Sequence, residues 1–286
     1  MGIVAVDVGG TSVRAAMCGD GDISDVIRVA TPKVGGSVVL DAIVSVIEQV
    51  IDLHGPASGI GLAVPGLIEN GVVRYSANLV WRDLRLADVV TERCGIPVRV
   101  EHDVRSAALA EYLVGAGKGA KRMVFIGIGT GISAAVVLDG HILDGAAGQI
   151  GHGGSFHGDL CACQGRGCLE AFASATGIEK TYQSLTGKAR NASEVVDAAN
   201  LGDPHAEVVW KGAISALASE LAGIVRLLGE VRIVVGGGLS LAGKNLFEPL
   251  REATVALLTV HPNPQILQSA FGDQAGLVGA ALLFRD

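Results

Sequence analysis

The chain has 286 residues, a formal net charge of −7 and a 49% apolar composition. That length suffices for one or two domains with a large core, and the acidic balance argues against the basic face that a nucleic-acid surface needs. No uninterrupted apolar run approaches the about 18 residues of a membrane-spanning helix, and the first residues lack a basic region and a small-residue cleavage site. A soluble, cytoplasmic protein with no membrane partner is therefore expected.

In chain order, strands alternate with helices, which predicts an α/β fold. Gly2–Val8 and Val13–Met17 read as strands joined by Gly9-Gly10-Thr11. Val39–Leu53 carries helical apolar spacing, Ile60–Val64 and Val98–Glu101 are short strands, and Asp103 opens a helical run to about Leu113. Val124–Ile128 and Ile132–Leu138 form a second glycine-linked strand pair. Ala206–Leu228 is a long amphipathic helix, Val231–Val235 a strand and Ala275–Phe284 a terminal helix.

The two strand pairs are related. Val4-Ala-Val-Asp-Val-Gly9 lies over Val124-Phe-Ile-Gly-Ile-Gly129 at a shift of 120 residues, and apolar character matches onward through Ala15/Ala135 and Met17/Val137. Both copies then reach an Asp-Gly turn, Asp20-Gly21 and Asp139-Gly140. An internal repeat of this kind implies a duplicated two-lobe fold with a cleft between the lobes.

Glycine tips leave backbone N–H groups free to cradle phosphate oxygens, and Thr11 and Thr130 add hydroxyl donors. Val234-Val-Gly-Gly-Gly-Leu-Ser240 is a third glycine cluster after a strand. Each tip alone is also an ordinary hairpin turn, but three of them favour a nucleotide site. Asp7, at the end of the first strand, is placed to hold Mg²⁺, directly or through water. Asp103 reads either as a helix cap or as a general base that takes a proton from a substrate hydroxyl attacking a γ-phosphoryl group, and the two roles are compatible.

His152, Cys161, Cys163 and Cys168 fall within 17 residues, punctuated by Gly165 and Gly167. Three thiolates and one imidazole make a tetrahedral zinc shell. A disulfide knot is disfavoured, because three cysteines leave one over and five in the whole chain make no framework. With all four positions filled by protein, such a site holds a loop and performs no hydrolysis. Cys18 and Cys94 read as buried core thiols, His157 as a solvated loop residue, and Arg14 and Lys118–Arg122 as solvated or edge charges.

Asp7-Val-Gly-Gly-Thr11, Glu101-His-Asp103, Gly127-Ile-Gly-Thr-Gly131, Gly148-Gln-Ile-Gly-His152 and Cys161-Ala-Cys-Gln-Gly-Arg-Gly-Cys168-Leu-Glu170 together resemble the ROK family of repressors, open reading frames and kinases. Pro65-Gly66, Asn78-Leu79, Trp81 and the ending Phe271–Ala280 also fit, so the resemblance covers essentially the whole chain. It implies an actin-like, ribonuclease H-like duplicated fold that closes on ATP and a hexose. The repressor branch carries an extra N-terminal helix-turn-helix, for which a first strand beginning at residue 2 or 3 leaves no room. Lobe bounds of 1–105 with 275–286, and 106–274 with a zinc loop at 152–170, are expected.

Carried over by position, the resemblance makes Asp103 the catalytic base for the sugar 6-hydroxyl. It places Gly9, Gly10, Thr11, Gly129, Thr130 and Gly131 around the phosphates and Gly237 and Gly238 near the adenosine. Asn78, His152 and Glu170 would bind sugar hydroxyls, Gly66 would line that pocket, and His152 would also reach zinc through its other ring nitrogen. Two sugar-contacting positions depart from the family pattern: His102 stands where asparagine is usual and Gln149 where glutamate is usual. A site that reads hydroxyls by hydrogen bonding is sensitive to such changes. The expectation is an ATP- and Mg²⁺-dependent glucokinase with structural Zn²⁺, assembled as a homodimer or homotetramer. An N-acetylmannosamine or N-acetylglucosamine kinase, or a catalytically silent sugar-binding protein, is the alternative.

Overall fold

A computed structural model describes residues 2–19, 22–143, 146–153, 160–161 and 163–285. The Asp20-Gly21 turn and His157 lie outside the described residues. The chain divides into two compact units, residues 1–110 with 274–286 and residues 111–273. The seam falls inside a helix, a little beyond residue 105.

The first unit is built from β1 (Gly2–Val8), β2 (Ser12–Gly19), β3 (Asp22–Ile23), β4 (Ile27–Ala30), α1 (Ser37–His54), β5 (Ala57–Val64), β6 (Leu67–Glu69), β7 (Val72–Ser76), β8 (Trp81–Leu84), α2 (Leu86–Cys94), β9 (Val98–His102) and the start of α3 (Asp103–Val114). Its main sheet runs β3-β2-β1-β5-β9, with β4 also on β2; β6-β7-β8 form a separate small sheet. β1 is antiparallel to β2 and parallel to β5, and its side chains from Val4 to Val8 are buried on both faces, by α1 on one and the C-terminal helix on the other. Val4, Val6 and Val8 pack with Val39, Ile43, Val46 and Ile47 of α1. Ala5 faces the other way, with Ala63 and the C-terminal helix residues Leu277 and Ala280. That second face is tight: a Cβ on Gly61 would overlap the Ala280 carbonyl, and one on Gly279 the Ser106 carbonyl.

The second unit holds β10 (Arg122–Ile128), β11 (Ile132–Leu138), β12 (His141–Ile142), α4 (Leu169–Ala173), α5 (Ala175–Thr186), α6 (Ala192–Asn200), α7 (Pro204–Leu228), β13 (Arg232–Gly236), α8 (Lys244–Ala256) and β14 (Gln265–Gln268); α9 (Ala275–Leu282) then returns to the first unit. Its sheet order is β12-β11-β10-β13-β14. β10 is antiparallel to β11 and parallel to β13, the same plan as β1 with β2 and β5. The two units thus repeat one α/β design, an actin-like fold. The repeat has a one-residue slip. Val8 pairs with Val13 and Ile128 with Ile132, so the first tip is one residue longer and Ala15 corresponds to Ala134 instead of Ala135.

α7 is long and apolar enough to cross a membrane by composition, but 61% of its most apolar window is buried. Ala206, Val209, Trp210, Ala213, Leu217, Leu221 and Val225 recur at helical spacing against the unit's core. Asp203 caps it by accepting from His205 and Ala206 N–H, and Pro204 sits in its first turn, where no N–H is needed. It is a core helix.

Candidate active site

In the first unit, parallel pairing of β5 with β9 brings the end of β9 out beside Val64. Glu101 Oε1 accepts the His102 backbone N–H at 2.7 Å, and Arg105 lies 3.5 Å from the same oxygen. Asp103 begins α3. Its Oδ1 accepts from Val104 N–H at 2.7 Å, the next residue along, so it does not make the bond to the second or third helical N–H that a cap makes. His102 Nδ1 approaches the same oxygen at 3.2 Å. Among the described residues Oδ2 has no partner, and the Asp103 side chain is 34% exposed.

The β1–β2 tip closes by Gly9 N–H to Ser12 carbonyl, 2.9 Å, and Thr31 Oγ1 donates to the Gly9 carbonyl at 2.7 Å. Gly10 and Thr11 are exposed. Asn78 lies beside this tip, about one side-chain contact from Gly10, since a Cβ there would sit 3.8 Å from the amide. Gly66 has φ 131°, a conformation that side chains rarely adopt, and a Cβ there would overlap the Tyr75 carbonyl. The loop after Asn78 is strained: Val80 has φ 57°, rare for a β-branched residue. It is held by Gly36 N–H to Leu79 carbonyl, 2.8 Å, and Trp81 Nε1 to Gly36 carbonyl, 2.9 Å.

Asp7 lies one residue before the end of β1, largely buried and ion-paired with Arg14. Arg14 is thus not a solvated edge charge but a half-buried partner of this carboxylate. The signal was present in the hairpin, where positions 7 and 14 are cross-strand partners on one face. A carboxylate two residues before Gly9 is the donor type that Mg²⁺ takes, with water and phosphate oxygens as its usual further ligands.

In the second unit, Gly129 N–H bonds the Gly131 carbonyl at 2.9 Å and the Gly129 carbonyl takes Ala175 N–H at 2.8 Å, leaving Thr130 exposed at the tip. Glu170, in the first turn of α4, reaches this tip. Its Oε2 accepts Ile132 N–H at 2.9 Å, and a Cβ on Gly131 would overlap the same oxygen. Its Oε1 lies 3.9 Å from His152 Nε2. Gln149 is exposed; its carbonyl accepts His152 N–H at 2.8 Å. Gly237, φ 79°, follows β13 so closely that a Cβ would overlap the Ile128 carbonyl, while Gly238 faces open space.

His152 Nδ1, on the ring side away from Nε2, is 3.7 Å from Cys161 Sγ, and the Cys163 and Cys168 sulfurs are 3.5 Å apart. All four ligand atoms lie within 4.8 Å of one another. A tetrahedral Zn²⁺ with bonds of about 2.3 Å to sulfur places its ligands at about this separation, whereas a disulfide would need sulfurs about 2.05 Å apart. The donor set and spacing fit zinc. Cys161 N–H to Gly165 carbonyl, 2.7 Å, folds the cysteines together, and a Cβ on Gly165 would press on two sulfurs at 3.3 and 3.4 Å. Of the remaining thiols, Cys18 is buried and Cys94 only half-buried, short of the core position expected for it.

One residue the sequence reading passed over is Glu111, fully buried in the second unit. It accepts from Ser269 Oγ at 2.5 Å, Phe271 N–H at 3.1 Å and Ala116 N–H at 2.8 Å. Three donors satisfy a carboxylate that would otherwise be costly to bury. Nothing local in the sequence announces it.

The ROK family profile matches residues 3–286. The chain belongs to the ROK family. A glucokinase of Thermotoga maritima is 34% identical over 99% of this ROK chain and 97% of its own, and one of Halalkalibacterium halodurans 33% identical over 99% and 94%. Among solved structures, a ROK glucokinase of Streptomyces griseus in complex with glucose and AMPPNP superposes with TM-score 0.86 at 28% identity, covering 99% of each chain. These similarities reach across both units of the ROK chain and are not confined to its glycine tips.

Proposed function

We propose that this ROK protein transfers the γ-phosphoryl group of ATP to the 6-hydroxyl of a hexose, with glucose as the leading substrate. The observation that carries the reading is the free Oδ2 of Asp103, held at a helix start in a chain similar over its full length to glucokinases. Phosphoryl transfer is mainly positioning and charge stabilisation, so a fixed carboxylate and a phosphate cradle are its minimal parts.

In this reading Asp103 Oδ2 takes the hydroxyl proton, the sugar oxygen bonds the γ-phosphorus, and ADP leaves with the electrons of the broken P–O bond. Gly9, Gly10, Thr11, Gly129, Thr130 and Gly131 hold phosphate oxygens through backbone and hydroxyl donors, and Gly237 and Gly238 make room for the adenosine. Asp7 would hold a Mg²⁺, which would neutralise charge on the phosphates. Asn78, His102, Gln149, His152 and Glu170 orient sugar hydroxyls, with Gly66 beside them. His152, Cys161, Cys163 and Cys168 would hold a Zn²⁺, which would fix the imidazole whose Nε2 serves the sugar.

The test is ADP release by the purified full chain across a panel of hexoses and N-acetylhexosamines. Turnover with glucose at the highest kcat/KM supports the reading. Preference for an N-acetylated sugar would move the assignment to an amino-sugar kinase, in line with the changes at His102 and Gln149. Sugar binding without turnover would make the chain a sensor.

A further inference from the structure

One sulfur of the Cys/His cluster stands at the surface. Cys163 is exposed, whereas Cys161 and Cys168 are buried. Cys163 Sγ and Cys168 Sγ are 3.5 Å apart, and only Gln164, Gly165, Arg166 and Gly167 separate the two residues in the chain. The turn between them favours that approach. Gln164 and Gly167 both take positive φ, 70° and 69°, which folds the chain back on itself. Gln164 N–H bonds the Cys161 carbonyl at 2.9 Å, and Cys161 N–H bonds the Gly165 carbonyl at 2.7 Å. Gly165 N–H donates to Cys163 Sγ at 3.4 Å. A Cβ on Gly165 would stand 3.3 and 3.4 Å from the two sulfurs, so glycine at this position leaves both unscreened.

The same cluster holds the imidazole that faces Glu170. His152 Nδ1 lies 3.7 Å from Cys161 Sγ and Nε2 lies 3.9 Å from Glu170 Oε1, while the other oxygen of Glu170 takes the Ile132 N–H. A tetrahedral shell needs all four donors, and withdrawing two sulfurs together leaves too few to retain an ion. A change confined to Cys163 and Cys168 therefore reaches His152 without touching it.

We propose that Cys163 and Cys168 form a thiol–disulfide switch, with a peroxide as oxidant, that dismantles the ligand set and frees His152 from its fixed orientation. The Cys163 sulfur attacks one peroxide oxygen; the O–O bond breaks, the sulfur becomes a sulfenic acid, and the other oxygen takes a proton and departs as water. The Cys168 sulfur then attacks that of Cys163. An S–S bond forms, the S–O bond breaks, and the hydroxyl takes a second proton and leaves as a second water. The two sulfurs lose two electrons and the peroxide gains them. Exposure sets the order: Cys163 meets the oxidant and buried Cys168 resolves it. Reduction restores both sulfurs and, with Zn²⁺ supplied, the ligand set.

The test uses the full chain purified under reducing conditions, freed of reductant, and treated with stoichiometric hydrogen peroxide beside a chromogenic zinc chelator. Peptide mapping without reduction is expected to find a disulfide between Cys163 and Cys168, with zinc released in step and taken up again after a phosphine reductant and added Zn²⁺. Cys94→Ser, which removes the half-buried thiol outside the cluster, is expected to respond as the wild type does. By calorimetry, oxidation is expected to weaken binding of the sugar selected by the panel about tenfold, and reduction with Zn²⁺ to restore it. A different cysteine pair, oxidation that ends as sulfinic or sulfonic acid on Cys163, or a disulfide formed with no zinc released overturns the proposal. So does sugar affinity unchanged once the disulfide has formed. The affinity arm rests on the kinase reading, whose own failure shows as neither turnover nor sugar binding in untreated protein; the disulfide and zinc arms then decide the switch alone.

Discussion

Glu170 accepts the backbone N–H of Ile132 at 2.9 Å, tying the start of α4 to the second glycine tip. The same carboxylate faces His152 Nε2 at 3.9 Å, and His152 Nδ1 belongs to the cysteine cluster. One set of contacts thus runs from the Cys/His cluster to the second glycine tip. Glu170→Gln removes charge while keeping shape. Loss of a charge-assisted bond to the sugar is expected to lower kcat/KM by about 10- to 100-fold, read mainly as a raised KM, and an unchanged KM would detach Glu170 from the sugar.

Asp103→Asn is expected to reduce kcat by about 10²–10⁴-fold with circular dichroism and thermal midpoint retained. Residual activity near wild type would place the proton elsewhere.

Cys168→Ser opens one corner of a four-ligand cluster. Elemental analysis of pure protein is expected to give one zinc per chain in the wild type and well under half that in the variant, with faster proteolysis in the loop that precedes α4. Clean wild-type protein free of zinc would rule the site out.

Burial pushes the Cys18 thiol up to about 11 from an ordinary value of 9.0. The folded value is raised, so the neutral thiol stabilises the fold fully below about pH 9, and that contribution is lost as pH rises through about 11. Denaturation midpoints of the wild type and Cys18→Ala, compared at pH 8 and pH 11, are expected to converge towards high pH. Slow alkylation of Cys18 in native protein at pH 8 accompanies it. A difference between the two proteins that does not change with pH would mean the thiol is not titrating from a buried site.

Gly279→Ala places a methyl group on the Ser106 carbonyl. The clash is with backbone and not with the end of a flexible side chain, so a loss of about 1–3 kcal/mol in urea unfolding is expected. A loss below about 0.5 kcal/mol would show that α9 sits less closely on α3 than described.

What the sequence disclosed was local. The glycine tips, the Glu101-His-Asp103 run and the Cys/His block each lie within a short stretch of chain, so spacing singled them out, and the 120-residue echo gave away the duplicated design. What it hid was long-range or conformational. Glu170 meets Ile132 across 38 residues, and Glu111 meets Ser269 across 158. The β6–β8 sheet is made of strands of three to five residues, too short for alternation to register. Val80 adopts φ 57° although its type disfavours it, and no residue pattern foretells that. The extra residue at the first tip went unseen because alanines and valines match at either shift.

α9 completes the interior of a unit whose other elements all precede Glu111. A nascent chain therefore leaves the ribosome with Ala5 and Ala63 uncovered until Leu277 and Ala280 emerge. Deleting α9 would spoil the half of the molecule made first, and folding of the two halves cannot proceed strictly in the order of their synthesis.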